Sequence, residues 1–287
     1  MKMTDEELAQ ELKRSKRGGA GGKVLEILGG LVIAAGLLLG GSLPLILVGA
    51  ILAGLGEWLR KRKRDDAGQQ AFNTIGPEVL SKFFEKISLS PVGEMVDAEK
   101  SDIPLEVHSS ISYNGRIRGM YHGMAAEMCS VVMTDTSSFY RDETEMWETN
   151  EQTVYTGQWM VCETGQTYPT GLTIWPRGKL DKVLRTSTIK TGDEDFDKRF
   201  NLSCDNASWA LEFLNQGRME RFHGLMETAF SDFSVSLHGD GKLYIAAHSG
   251  RGFFDIGKGR ETPEALRQRY SRELKWFTDA IDTFQPV

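Results

Sequence analysis

Five histidines (His108, His122, His223, His238 and His248) and three cysteines (Cys129, Cys162 and Cys204) are the side chains of this 287-residue sequence best suited to metal ligation or nucleophilic chemistry. A helical zinc site needs two histidines four residues apart, and a cysteine site needs close pairs such as CxxC. Neither spacing occurs. His238 and His248 share one predicted hairpin, the first beside the turn and the second well along the return strand, too far apart to share an ion. Three cysteines cannot all pair as disulfides, so a reducing compartment is expected, with the thiols acting as small buried hydrophobes. Cys129 or Cys162 could serve as a nucleophile with His122 as base only if the fold joined them, and their spacing gives no reason for that.

The acidic run Gly192-Asp193-Glu194-Asp195-Phe196-Asp197 alternates carboxylates as a calcium loop does, but Lys198 stands at the glycine position and Cys204 at the bidentate glutamate position. It is expected instead to open a helix, where acids favour the positive end of the helix dipole. Gly18-Gly19-Ala20-Gly21-Gly22-Lys23 resembles a phosphate loop, yet Arg17 and Val24 replace the required glycine and hydroxyl residue. It is expected to be a flexible basic segment. Asn201-Leu202-Ser203 and Asn206-Ala207-Ser208 match glycosylation sequons and are read as chance matches. No catalytic, cofactor-binding or metal-binding residue is assigned, and enzyme activity is left open.

The elements that would position any site divide by charge. Residues 1–64 hold eleven Lys/Arg against six Asp/Glu, net +5, leaving −11 for the rest of a chain of net charge −6. So acidic a remainder is repelled by nucleic acid and anionic lipid, which excludes nucleic acid as its expected partner. From Ile27 to Gly56 there is no charged side chain. A single helix of that length would reach ~45 Å, beyond a hydrocarbon core of ~30 Å. Gly40-Gly41-Ser42-Leu43-Pro44 interrupts it with a glycine stop and a proline suited to a new first turn, so a helical hairpin is expected, with arms Val24 to Gly40 and Leu43 to Leu59. Basic clusters, Lys13 to Lys23 and Arg60 to Arg64, flank it on both sides. The positive-inside rule then keeps both ends in the cytoplasm. Close approach of the arms is expected through Gly36/Gly40, Gly49/Ala53 and Ala50/Gly54. Thr4 and Glu7 form a candidate capping box for a short helix bearing Leu8 and Leu12.

The expected organisation is a basic tail (1–23), a transmembrane hairpin (24–59) that takes the lipid bilayer as its partner, a basic linker (60–68) and an acidic soluble domain (69–287). In that domain a helical stretch with Phe72, Ile75, Leu80, Phe83 and Phe84 precedes strands near Leu105–Tyr113, Arg116–His122, Met124–Thr134, Thr153–Cys162 and Leu172–Trp175. Asn114-Gly115 is the predicted hairpin turn between the first two. Phe233, Val235 and Leu237, then Leu243, Ile245 and Ala247, alternate with other residues on either side of Gly239-Asp240-Gly241, predicting a second hairpin. Asp205 or Asn206 can cap a helix carrying Trp209, Phe213 and Leu214, and another carries Met219, Phe222 and Met226. Thr262-Pro263 opens a terminal helix with apolar residues from Leu266 to Phe284 at steps of three or four. Together these predict an α+β fold with a largely antiparallel sheet and flanking helices behind the N-terminal hairpin.

Tyr155-Thr156-Gly157, Asp195 to Phe200, the helix with Ala207 and Ala210, Met219-Glu220-Arg221, Gly241 to Ala246 and Phe253-Phe254 occur in an order that resembles the bacterial membrane-protein family called domain of unknown function 3137. The resemblance covers roughly residues 20 to 285. It implies a paired membrane segment ahead of a soluble domain at the bacterial inner membrane, and a LemA-type membrane protein as partner. A homo-oligomer is compatible with it, and it implies no cofactor. The function expected is a membrane-anchored cytoplasmic interaction or scaffold domain; the alternative is a membrane-associated ligand-binding protein or enzyme whose site is assembled from distant strands.

Overall fold

The computed structural model describes residues 3–89, 95–141, 146–178, 188–257 and 259–285, with side chains omitted at 16–20, 141 and 146. The chain forms an α+β structure in two compact units, residues 1–79 with 254–271, and residues 80–253 with 272–287.

The first unit is built on two long antiparallel helices, α1 (Asp5–Leu38) and α2 (Leu43–Leu80). Thr4 caps α1 through the expected box with Glu7, and Gly40 and Gly41 make the turn at φ +81° and +79°. Each helix contains a stretch long and apolar enough to cross a membrane. The helices meet along a seam of small residues. A Cβ built on Gly22 would fall 2.6 Å from the Gly56 carbonyl oxygen, and one on Gly29 would fall 2.5 Å from that of Gly49 and 2.7 Å from the Ala53 nitrogen. Gly36 packs on Ile46 and Leu45, where a Cβ would fall 3.0 and 3.1 Å from their side chains. The contacting glycines recur every seven residues, at 22, 29 and 36 and at 49 and 56, which is the period of a left-handed supercoil.

This corrects the expected four-residue pattern. Gly36, Gly49 and Ala53 do lie in the seam, but Gly40 belongs to the turn, Ala50 is exposed and Gly54 faces open space. The glycine-rich stretch before Val24 is helical rather than a loop, because Gly22 is itself a seam residue. Outside the seam, Ile27, Leu31, Leu38, Leu47 and Ile51 are exposed, Leu31 by 61% and Leu38 by 87%. Beyond the apolar stretches, Leu8, Leu12, Ala67, Ala71 and Ile75 are buried. There Arg267 pairs with Asp5 and Glu78, and Arg64 with Asp255, so the start of the terminal helix clasps the polar ends of α1 and α2.

The second unit is one antiparallel sheet of eight strands: β1 (Glu85–Ser88), β2 (Ser110–Tyr121), β3 (Met124–Arg141), β4 (Met146–Glu163), β5 (Leu172–Pro176), β6 (Phe200–Cys204), β7 (Phe233–Leu237) and β8 (Lys242–Ala247), in the order β1-β2-β3-β4-β8-β7-β5-β6. Among the described residues three short helices, α3 (Glu194–Arg199), α4 (Ala207–Phe213) and α5 (Gln216–Thr228), belong to it, and α6 (Pro263–Phe284) completes it from Arg272 onward. Asp193, Asn206 and Asn215 cap α3, α4 and α5 through their side chains. Phe196, Phe200, Phe222 and Phe233 stack at centroid distances of 5.0–5.7 Å, and Trp276 of α6 joins them through Phe233 at 5.0 Å.

The Asn114-Gly115 turn is not where the chain reverses. Ser110–Tyr121 is a single strand against β3, and the register shifts between Asn114 and Ile117, so Gly115 (φ +64°) makes a bulge. The reversal lies at His122-Gly123, φ +47° and +81°. A two-residue type I′ turn requires positive φ at both positions, and only this pair supplies it. β3 and β4 continue pairing from Asp135↔Gln152 to Arg141↔Met146, past the start of β2 at Ser110↔Thr134 and the end of β8 at Gln158↔Ala247. This two-stranded ribbon carries exposed Phe139, Tyr140 and Trp147, the last 70% exposed.

Candidate functional site

On one face of the sheet, β4, β8 and β7 bring together four side chains far apart in sequence. Trp159 pairs with Ala246, and Ala246 with Ser234, so Trp159 and Ser234 flank the same residue across three strands. Tyr155 lies four residues before Trp159 and His248 two after Ala246, which the two-residue alternation of strands puts on that face as well. Trp159 Nε1–H donates to Tyr155 Oη at 2.9 Å, Tyr155 Oη lies 3.1 Å from His248 Nδ1, and His248 Nε2 lies 2.8 Å from Ser234 Oγ. Gly157 makes the first link possible: a Cβ there would overlap Tyr155 Oη at 2.1 Å, so the ring folds along its own strand over the missing side chain.

The chain of hydrogen bonds ends at a cavity of about 250 Å³. Leu105, Met133, Trp159, Trp175 and Pro176 form its apolar walls, with Tyr155, Ser234 and His248 also on its lining. Glu106, Arg177 and Asp232 add charge at its rim. Ser234 is 1% exposed, and Trp175 is buried with no hydrogen-bond partner for its indole Nε1–H among the described residues.

Burial depresses the His248 pKa to about 4, against a weaker opposing effect of Asp232, so the imidazole is neutral at physiological pH. Burial likewise raises the Tyr155 phenol above its ordinary range. Because His248 binds its proton less readily when folded, its contribution to stability is complete above about pH 6.5 and is lost as pH falls from there toward 4. A histidine NMR titration should show His248 neutral at pH 5. Gly157→Ala, by displacing the phenol and opening the site to water, should move its midpoint back toward 6.5.

The sequence candidates lie elsewhere. Cys129 and Cys162 are buried in β3 and β4, and burial pushes the Cys162 thiol up to about 12, far from a reactive thiolate. His122 is in the exposed β2–β3 turn, edge-on to Tyr121. His238 stacks on Tyr244 and faces Asp102 at 3.4 Å, while His248 is drawn into the relay. In the acidic patch Asp193 accepts from Phe196 N–H and meets His223 Nε2 at 2.8 Å; those two interactions, in that order, hold its carboxyl below the usual range. Asp197 accepts from Thr191 N–H and its hydroxyl. These carboxylates serve the helix start, as the sequence predicts. Among the described residues no group of three or more His, Cys, Asp or Glu is placed to hold a metal ion.

Sequence reasoning passed over the relay. Tyr155-Thr156-Gly157 and Trp159 alternate toward one face and carried its trace, but nothing in sequence joins them to Ser234 or His248. Residues 153–285 match the family described as Protein of unknown function (DUF3137). The DUF3137 match contains Tyr155, Trp159, Ser234 and His248, and leaves α1 and α2 outside it. No curated protein and no solved structure matches the chain.

Proposed function

We propose that this protein is a membrane-anchored interaction protein, with residues 24–59 as the anchor and both termini in the cytoplasm of a bacterial cell. The observation that carries this is the inverted polarity of α1 and α2: glycine backbones are buried between the helices while leucine, isoleucine and valine face outward. In water such a surface costs ~25 cal/mol for each Å² of apolar area, whereas lipid tails solvate it without cost. The basic residues at both ends favour the inward orientation. The β3–β4 ribbon supplies a surface for a protein partner: exposed aromatics of this kind anchor interfaces, and Asp135, Glu148 and Glu151 along it favour a basic rim around the receiving pocket. The LemA-type membrane proteins implied by the sequence resemblance are the first to test.

Reporter fusions check the orientation. Alkaline phosphatase joined after Arg64 should be inactive and green fluorescent protein there bright, while phosphatase inserted at Gly41 should be active; the reverse pattern refutes the topology. From the same membranes, purification in mild detergent should recover a stoichiometric protein partner that is lost with Trp147→Ser. A chain that stays alone refutes the interaction reading.

A further inference from the structure

The hydrogen-bonded chain of Trp159, Tyr155, His248 and Ser234 beside the cavity has more polar hydrogens than contacts to take them, and the excess can be counted. Trp159, Tyr155, neutral His248 and Ser234 together carry four polar hydrogens but make three contacts with one another. Whichever tautomer the imidazole adopts, one hydroxyl hydrogen is left over. With the proton on Nε2, His248 donates to Ser234 and the serine hydrogen is spare; with it on Nδ1, His248 donates to Tyr155 and the phenol hydrogen is spare. Tyr155 and Ser234 both line the cavity, and neither hydroxyl has a further partner among the described residues. The indole N–H of Trp175, in the same wall, is a second buried donor with no acceptor. A buried donor without an acceptor is unfavourable, so an acceptor brought into this cavity gains from both.

We infer that this cavity binds a small neutral molecule with an aromatic or branched apolar body and a carbonyl oxygen, the oxygen accepting from the Ser234–Tyr155 pair and from Trp175. Trp159, Trp175, Met133 and Leu105 offer the body apolar and aromatic surface. A volume of about 250 Å³ holds the equivalent of about eight liquid waters at ~30 Å³ each, enough for a ring and one polar group. Neutral compounds are favoured over carboxylates because Glu106 and Asp232 outnumber Arg177 at the rim. This inference does not rest on the membrane reading.

The test uses the full chain in lipid nanodiscs, labelled with 5-fluorotryptophan, with Trp159 and Trp175 assigned by substitution to phenylalanine. N,N-dimethylbenzamide should shift the Trp159 fluorine signal saturably and bind at least tenfold more tightly than isopropylbenzene, which lacks the acceptor, or benzoate, which is charged. The double variant Ser234→Ala/Tyr155→Phe should weaken the amide at least tenfold while leaving isopropylbenzene unchanged. Trp175→Phe keeps an aromatic ring and removes the other donor; it should weaken the amide at least threefold more than it weakens isopropylbenzene and serves if the double variant does not fold. Absence of a saturable shift, equal binding of the hydrocarbon, tighter binding of benzoate, or amide affinity unaltered in the folded variants would overturn the assignment.

Discussion

Leucine in place of Gly29 will drive α1 and α2 apart. The Cβ alone would stand 2.5 Å from the Gly49 carbonyl oxygen and 2.7 Å from the Ala53 nitrogen, inside van der Waals contact with backbone that has no rotamer to yield. Overpacking of this kind costs about 1–3 kcal/mol where side chains can shift, and the seam offers backbone instead. Separation should also release the neighbouring contacts of Gly22 with Gly56 and of Gly36 with Ile46, since all three lie on the same heptad line. Spin labels at Gly21 and Glu57, each next to a seam glycine, should report a longer and broader distance in Gly29→Leu by double electron–electron resonance. Gly30→Leu and Gly54→Leu provide the control: a Cβ at either position meets nothing within 4 Å, so the distance should stay as it is. If Gly29→Leu matches the controls, the glycine seam does not hold the helices.

Glu127→Ala should severely destabilise the sheet unit. Glu127 is fully buried on β3, where its carboxylate receives Arg116 Nη1, Arg118 Nε at 2.9 Å and the Val96 amide at 3.2 Å. Val96 and Ala98 are buried in the core on this side of the sheet, alongside Cys129, Val131 and Trp159, so the hydrogen bond from the Val96 N–H to Glu127 helps hold the incoming segment there. Removing one partner from a buried charged cluster costs about 3–5 kcal/mol, because the remaining charges keep their desolvation penalty without the compensating attraction. The exposed Lys275–Asp279 pair, one turn apart on α6, is the contrast: Asp279→Ala should change stability by roughly 0.5 kcal/mol or less. Urea unfolding followed by tryptophan fluorescence separates the two. A Glu127→Ala midpoint close to that of Asp279→Ala would show that the arginines find water or other acceptors without loss.

Elements whose signals are local were legible in the residues themselves. Thr4 with Glu7 and Asn206 with Trp209 form caps because each needs only a side chain three residues from an orphan amide. The charge-free run, its glycine stop at Gly40 and the apolar stripe of α6 are likewise one-dimensional patterns. Asn114-Gly115 shows the limit of such reasoning. It has the composition of a type I′ turn, yet β2 continues through it as a bulge, because the pairing with β3 from Ser110↔Thr134 to Tyr121↔Met124 outweighs a dipeptide preference and moves the reversal to His122-Gly123. The seam was half legible: small residues marked the contact, but their working period of seven emerges only when two helices pack.

Composition and periodicity by themselves determined that this protein has a paired apolar segment ahead of an acidic α+β portion, and that no local metal or nucleophile motif is present. Only the tertiary structure decided where chemistry can occur. Tyr155, Trp159, Ser234 and His248 are separated by up to 93 residues in sequence, and sheet register alone places them within hydrogen-bonding distance. A hydrogen bond acts over about 3 Å and carries no trace along the chain, so a site made by register becomes visible only once the strands are paired.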